Sequence, residues 1–198
     1  MKIIIIINKN NNNNNKGGTG RSARHHGLND PIWRVLSAAN IPAAKEPSGL
    51  LRSDGKRPDG LTLIPWQNGR SVTWDVTVTD TVAQSYLPVT SASSGGAAEA
   101  AAERKTAKYL QLAQTYTFVP IAVETFGPMN SVGLQFLRDL GRRITQVSTD
   151  QRESAFLFQR LSVLIQRFNA VALCGTFATR PLRMISSRSS LAFTSFLA

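Results

Sequence analysis

Two aspartates followed by two lysines are the residues of this chain whose types and spacing suit a chemical reaction. Asp59 closes the segment Lys56-Arg57-Pro58-Asp59, and Asp75 follows it by sixteen residues. Lys105 and Lys108 come next, at a spacing of one helical turn. Magnesium prefers hard oxygen ligands, usually one or two carboxylates completed by water and phosphate oxygens. Two acids and a lysine that converge would therefore suit metal-dependent cleavage of a phosphodiester.

The two aspartates are predicted to lie on neighbouring strands of one hairpin. The stretch 61–64 is short and rich in strand-forming residues. Asn68-Gly69 is typical of a tight hairpin turn, because both turn positions need a positive φ. Residues 71–79 then alternate between apolar and polar side chains, which places Asp75 on the face opposite the apolar one. Since paired strands lie about 5 Å apart, a suitable register would bring Asp59 and Asp75 around one ion.

The hairpin belongs to a longer predicted series of helices and strands. Asn29 or Asp30 followed by Pro31 is typical of a helix start. An Ala-rich helix over 97–114 would carry both lysines. The other predicted elements are the rest of the first helix up to Asn40, an extended piece over 43–47, a strand over 117–124 in which Pro120 indicates an edge or a bulge, a helix with an apolar stripe from Leu134 to Val147, and a helix near 153–174 that is apolar on most faces and is expected to be buried. This order predicts a single α/β domain.

The positive charge of the chain is concentrated toward its ends. A formal net charge of +11 is typical of proteins that bind nucleic acid. Six of the 23 basic residues, and none of the 12 acidic ones, lie in 1–20 and 178–198, so the region 21–177 carries a net charge of +5. Both ends are of biased composition and are predicted to be disordered tails. The folded domain is therefore expected to span 21–177.

The cysteine content and the hydropathy pattern restrict the location of the protein. Cys174 is the single cysteine, so neither an internal disulfide nor a Cys-based zinc site can form. It falls in the helix predicted to be buried, where we expect it to pack in the core. The apolar run near the amino terminus is too short for a signal peptide or a membrane span. We expect an intracellular protein with no membrane partner, and no oligomeric state is predicted.

Residues 24–177, approximately, resemble the restriction-like endonuclease in the C-terminal region of non-LTR retrotransposon polyproteins. The ordered segments that carry the resemblance are Arg24-His25-His26 with Asn29, Glu46-Pro47, Lys56-Arg57-Pro58-Asp59, Trp74-Asp75-Val76-Thr77, Lys105 through Lys108-Tyr109, and Gly175-Thr176-Phe177. The fold implied is the restriction-endonuclease-like α-β-β-β-α-β core of PD-(D/E)xK nucleases, here with two extra C-terminal helices. The implied activity is magnesium-dependent nicking of DNA in the nucleus, where the free 3′ hydroxyl primes reverse transcription.

The resemblance also implies a role for each candidate residue. Asp59 and Asp75 would be the ligands of Mg²⁺ or Mn²⁺, and Glu46 would be an accessory acid. Lys105 would be the catalytic lysine, supplied by the helix, with Lys108 as the alternative.

Four basic residues are predicted to bind nucleic acid. Lys56 and Arg57 stand next to Asp59 in the sequence. Arg138 and Arg142 begin a series of helically spaced arginines, which is either a strip of phosphate contacts or a solvated face.

Several residues depart from the family pattern or lie beside it. The lysine that usually follows the second acid by two residues is replaced by Thr77. An asparagine run occupies the place of the family's zinc knuckle and no reverse-transcriptase region is present, so a truncated copy is expected. His25 and His26 have no partners at metal-ligand spacing, and we expect them to lie near a DNA phosphate or to pack the first helix.

Two other functions stay open at this point. A non-catalytic remnant would bind nucleic acid with a steep dependence on salt but would not cleave it. A structural or interaction domain, or a decayed copy, would have neither activity.

Overall fold

The computed structural model describes residues 17–51 and 54–178, with side chains from residue 24 to residue 174. The elements, in chain order, are α1 (Gly17–Ala38), β1 (Ala43–Lys45), β2 (Gly60–Thr62), β3 (Val72–Thr79), the one-turn α2 (Leu87–Thr90), α3 (Gly96–Lys108), β4 (Thr117–Glu124), α4 (Ser131–Ser148) and α5 (Glu153–Ala178). Apart from the one-turn α2, this is the predicted order. The α/β class is confirmed.

The four strands form one mixed sheet in the order β1-β2-β3-β4. The first three strands are antiparallel, whereas β4 runs parallel to β3 after the crossover through α3. β3 and β4 pair along their whole length, from Val72 with Thr117 to Thr79 with Glu124. β2 is much shorter and reaches only as far as the pairing of Gly60 with Trp74. The second half of β3 therefore has no strand beside it on the β2 side.

The local signals for the turn and for the edge strand are confirmed. Asn68 and Gly69 have φ values of 52° and 72°, and the flanking residues Gln67 and Arg70 form the bridge that closes the turn. β4 is an edge strand, as Pro120 indicated, and its register with β3 runs without a bulge. The Asn130 side chain bonds the outer edge of β4, so that edge is satisfied without a further strand.

Helices cover both faces of the sheet. On one face, α1, α4 and α5 enclose the main core, which contains the buried indole of Trp74. On the other face, α3 places three alanines against Ala122 of β4. Alanine side chains are small, so α3 lies close to the sheet. As a consequence the polar side of β3, including Asp75, is buried under α3.

The first helix starts much earlier than predicted. α1 begins at Gly17, inside the segment assigned to the amino-terminal tail, and Pro31 lies in its interior. Leu28, Ile32 and Leu36 are buried at a spacing of four residues, so the apolar stripe continues on both sides of the proline. Packing of this stripe on the sheet outweighs the hydrogen bond that Pro31 removes. Residues 1–16 and 179–198, the rest of the two predicted tails, lie outside the described residues.

The prediction that the last helix is buried is wrong. One face of α5 contacts the core through Leu157, Leu161 and Ile165, but the side chains of Val163 and Val171 are 66% and 63% exposed. Cys174 is also exposed and is not a core residue. The reason is that α5 is the outermost helix and packs only on α1 and α4.

The ends of two further elements differ from the prediction. α3 ends at Lys108, and Leu112–Gln114 form a separate 3-10 turn. β2 ends at Thr62, two residues earlier than expected. Within the described residues, no helix is long and apolar enough to cross a membrane.

Candidate active site

Asp59 lies where β3 extends beyond β2. Its backbone N–H donates to the Trp74 carbonyl at 2.9 Å, which continues the antiparallel ladder by one bond. The next inward N–H of β3, that of Val76, has no strand partner and donates to Oδ2 of Asp59 at 2.5 Å. The Asp59 carboxylate is therefore held one peptide unit from Asp75. It is 6% exposed as a residue, so its position is set by these bonds and not by solvent.

His25 on α1 binds the other oxygen of the same carboxylate. Its Nε2 is 2.9 Å from Oδ1 of Asp59, and its Nδ1 is 3.1 Å from the Val76 carbonyl oxygen. Both ring nitrogens face acceptors, so both bonds are made together only by the protonated ring. The hydrogen bond to Asp59 raises the pKa of His25, against the opposing effect of burial. The imidazole thus spans the open edge of β3.

Asn29, one turn further along α1, fixes the backbone of the same junction. Its Nδ2 donates to the Asp59 carbonyl at 3.3 Å, and its Oδ1 accepts the indole N–H of Trp74 at 2.8 Å. Both Asn29 and Trp74 are buried. α1 therefore positions Asp59 through two polar side chains on one face.

Asp75 meets Lys105 under α3. The Lys105 Nζ is 2.5 Å from Oδ1 of Asp75, and the aspartate is nearly inaccessible to solvent. Burial raises the pKa of Asp75, and the negative charge of Asp59 raises it further, while Lys105 opposes both effects. α3 is held in place at its amino end by Glu124 of β4, whose carboxylate accepts the backbone N–H of Ala97 at 3.0 Å.

Lys108 and Tyr109 continue the site from the end of α3. The Lys108 Nζ lies 3.3 Å from the Tyr109 hydroxyl, which in turn donates to the Arg57 carbonyl at 2.9 Å. The same hydroxyl is within hydrogen-bonding reach of Asp75 and helps to lower its pKa. Burial lowers the pKa of Lys108, and the charge of Lys105 lowers it further.

Glu46 and Arg57 bind each other at the rim of the site. Glu46 directly follows β1, in a left-handed conformation with φ of 44°. Its carboxylate accepts a hydrogen bond from the Arg57 guanidinium, which lowers the pKa of Glu46. Glu46 thus lies beside the two aspartates with its carboxylate engaged by Arg57.

These residues surround one open cavity of about 490 Å³. Its lining consists of His25, Glu46, Gly55, Lys56, Arg57, Asp59, Asp75, Lys105, Lys108 and Tyr109. All the predicted catalytic and metal-binding residues are in this set, together with Lys56 and Arg57.

The two other residues predicted to bind nucleic acid lie elsewhere. Arg138 and Arg142 are on α4, which covers the face of the sheet opposite α3, and Arg142 is paired with Asp139. Arg143 does not continue a strip with them, because its guanidinium lies 3.9 Å from the centre of the Trp66 ring.

Sequence reasoning missed the part that His25, Asn29 and Tyr109 take in this site. The three residues fall inside segments that carried the family resemblance, and that was the signal that could have identified them. Their spacing alone says nothing of which strand they would meet.

The donor set of the cavity suits a hard divalent cation. Asp59 and Asp75 supply adjacent buried carboxylates, and each oxygen of Asp59 accepts one hydrogen bond and keeps lone-pair capacity for a ligand. The effect of Asp59 on the pKa of Asp75 shows that negative charge is in excess there, which a cation would offset. Among the described side chains, no group of three or more His, Cys, Asp or Glu residues is arranged around one ion. The protein would thus provide two ligands, the usual number for magnesium.

Comparison with known proteins found no match, either among protein-family models or among curated proteins.

Proposed function

We propose that this chain is a divalent-metal-dependent DNA endonuclease domain of the restriction-endonuclease-like type, related to the endonuclease of non-LTR retrotransposon polyproteins. The observation that supports this proposal most directly is the convergence of Asp59, Asp75 and Lys105 in one cavity. These residues come from three separate elements. The α-β-β-β-α-β order of the elements agrees with the fold that the resemblance implies.

Each residue of the site then has a defined task. Asp59 and Asp75 hold Mg²⁺ or Mn²⁺, which when bound supplies a Lewis acid that polarises the phosphate and activates water. The bonds from Val76 and His25 keep the Asp59 carboxylate in place before the substrate binds. Lys105 presents a positive charge next to Asp75, where it stabilises the charge that develops on the phosphate oxygens.

The position of Lys105 also accounts for the missing lysine of the family pattern. Thr77 occupies the usual lysine position on β3. Lys105 approaches Asp75 from α3 instead, and the close packing of the α3 alanines on β4 brings it within reach. The ammonium group therefore arrives at the second acid by a different route.

The proposal is tested by nicking of supercoiled plasmid in the presence of Mg²⁺ or Mn²⁺, with EDTA as the negative condition. Asp59→Ala/Asp75→Ala should abolish nicking, and Lys105→Met should slow it roughly 10²–10³-fold, as expected when one donor that stabilises developing charge is removed. Asp139→Ala/Asp150→Ala removes the same charge from two surface ion pairs and should nick like the parent.

Melting curves establish that every variant is folded before nicking is compared. Metal-dependent nicking that survives the Asp59→Ala/Asp75→Ala substitution in clean preparations would refute the assignment of these residues. A nuclease acting on chromosomal DNA would work in the nucleus.

A second candidate function is nucleic-acid binding without cleavage. The observation in its favour is that the charged groups of the site are paired with each other, Asp75 with Lys105 and Glu46 with Arg57. This function predicts salt-sensitive binding of DNA and no metal-dependent nicking by the folded parent protein.

A further inference from the structure

A second cavity, of about 780 Å³, opens next to the candidate active site. It runs along the end of β3, residues 76–80, between the exposed side of α3 and the loop that leads to Tyr86. The two cavities share the side chains of His25, Lys56, Lys105 and Lys108. They therefore form one continuous groove that leads away from the two aspartates.

The groove has a strong excess of positive charge. Its basic side chains are Arg24, Lys56, Arg104, Lys105 and Lys108, and its one carboxylate is that of Asp80. Within the described part of the chain, Lys105 is the one member of this set that forms an ion pair with a carboxylate. By contrast, Arg57 and Arg142 outside the groove are paired with acids. Unpaired cations lining a concave surface attract a polyanion.

Arg104 is oriented toward the groove by an aromatic partner. It is adjacent to Lys105 on α3, and its guanidinium bonds the Tyr86 hydroxyl and lies 5.3 Å from the centre of the Tyr86 ring. Both interactions are with a neutral group, so the positive charge of Arg104 is not compensated. A guanidinium held in this way keeps its planar donor fork available to phosphate oxygens.

We propose that this groove binds the sugar-phosphate backbone of a DNA strand beside the phosphate that reaches Asp59 and Asp75, with Arg24, Lys56 and Arg104 binding phosphate groups. The placement next to the reacting phosphate rests on the proposed nuclease function. The binding itself does not, because it depends on the charges of the groove and on no metal. The arginines of α4 take no part in it.

The test is the equilibrium binding of a short fluorescein-labelled DNA duplex, measured in EDTA at several salt concentrations. The groove variant is Arg24→Gln/Arg104→Gln, and the matched control is Arg138→Gln/Arg142→Gln, which removes the same charge from the opposite face. For every phosphate group that is no longer neutralised, the slope of log K against log salt should fall by about 0.9. At 0.1 M salt that slope corresponds to roughly an eightfold weaker binding per phosphate group. The control should bind like the parent.

The outcomes separate this proposal from the nuclease proposal. Equal binding by the groove variant and the parent, or equal weakening by the control, would overturn it, provided that melting curves show both variants to be folded. Groove-dependent binding that occurs with an RNA duplex but not with DNA would overturn it too. If the groove binds DNA while the parent protein does not nick plasmid with metal present, the groove proposal stands and the nuclease proposal falls.

Discussion

Replacement of His25 by alanine should destabilise the protein, because it removes two hydrogen bonds that join α1 to the edge of β3. The imidazole bonds the Asp59 carboxylate at 2.9 Å and the Val76 carbonyl at 3.1 Å. In His25→Ala both oxygens lose this donor, although Asp59 and Val76 are buried. A buried acceptor without its donor keeps most of its desolvation penalty.

The size of the effect follows from the two bonds. A hydrogen bond to a charged group contributes roughly 1.5–3 kcal/mol and a neutral one roughly 0.5–1.5 kcal/mol. The side chain of His25 is 32% exposed, so water can replace part of this stabilisation. We therefore expect the free energy of unfolding to fall by about 2 kcal/mol. For a domain of this size that corresponds to a decrease in Tm of roughly 4–8 °C.

The effect should depend on pH in a defined direction. The bond to Asp59 raises the pKa of His25 in the folded state, so protonation of the ring favours folding. This contribution is complete below the ordinary histidine pKa of about 6.5 and is lost as the pH rises through the raised value of the folded state. The difference in stability between the parent and His25→Ala should thus be largest in weak acid and should shrink in alkaline solution.

The assay is thermal unfolding followed by circular dichroism in EDTA at a series of pH values. His26→Ala is the matched control, because His26 is exposed and meets the His25 ring only edge-on, with the ring centres 5.4 Å apart. It should change stability by less than about 0.5 kcal/mol. Equal melting temperatures for the two variants in weak acid, or a His25→Ala effect that grows with pH, would rule out this account of His25.

Two further predictions concern the residues around this bond. Asp75→Asn should raise the Tm at neutral pH by roughly 2–4 °C, for a gain of about 1 kcal/mol, because burial and the charge of Asp59 disfavour the ionised form of Asp75. The gain should vanish in acid, where Asp75 is protonated in both states, and its persistence there would contradict the explanation. Gly60→Ala should lower stability by about 1–3 kcal/mol in denaturant unfolding, because a Cβ atom there would lie 2.0 Å from the buried Trp74 ring. Gly49→Ala has open space around its Cβ and is the control, so an equal loss in both variants would count against a clash at Trp74.

The elements that were predicted well depend on neighbours in the chain. The bounds of β4 are those of the predicted strand, and the Asn68-Gly69 turn has the predicted positive φ values. In both cases the signal is a short-range steric preference or a period of two. Such preferences act within a few residues, so the sequence alone carries them.

The elements that were predicted poorly depend on what packs against them. The apolar residues of α5 indicated burial, but its position outside α1 and α4 leaves Val163 and Val171 accessible to solvent. Pro31 indicated a helix start, but the stripe of Leu28 and Ile32 on the sheet maintains one helix across it. A periodicity states which residues share a face, and it does not state whether another element covers that face.

For the candidate site, local patterns in the chain were enough to predict that Asp59 and Asp75 meet at a pair of adjacent strands and that Lys105 lies on the helix that follows. The bonds that these groups make depend on the tertiary arrangement. β2 ends before β3, so the Val76 N–H is left for the Asp59 carboxylate, and α1 brings His25 to the same edge. A buried donor or acceptor must find a partner within about 3 Å. That partner is chosen by the folded arrangement of distant segments, which no local pattern in the chain encodes.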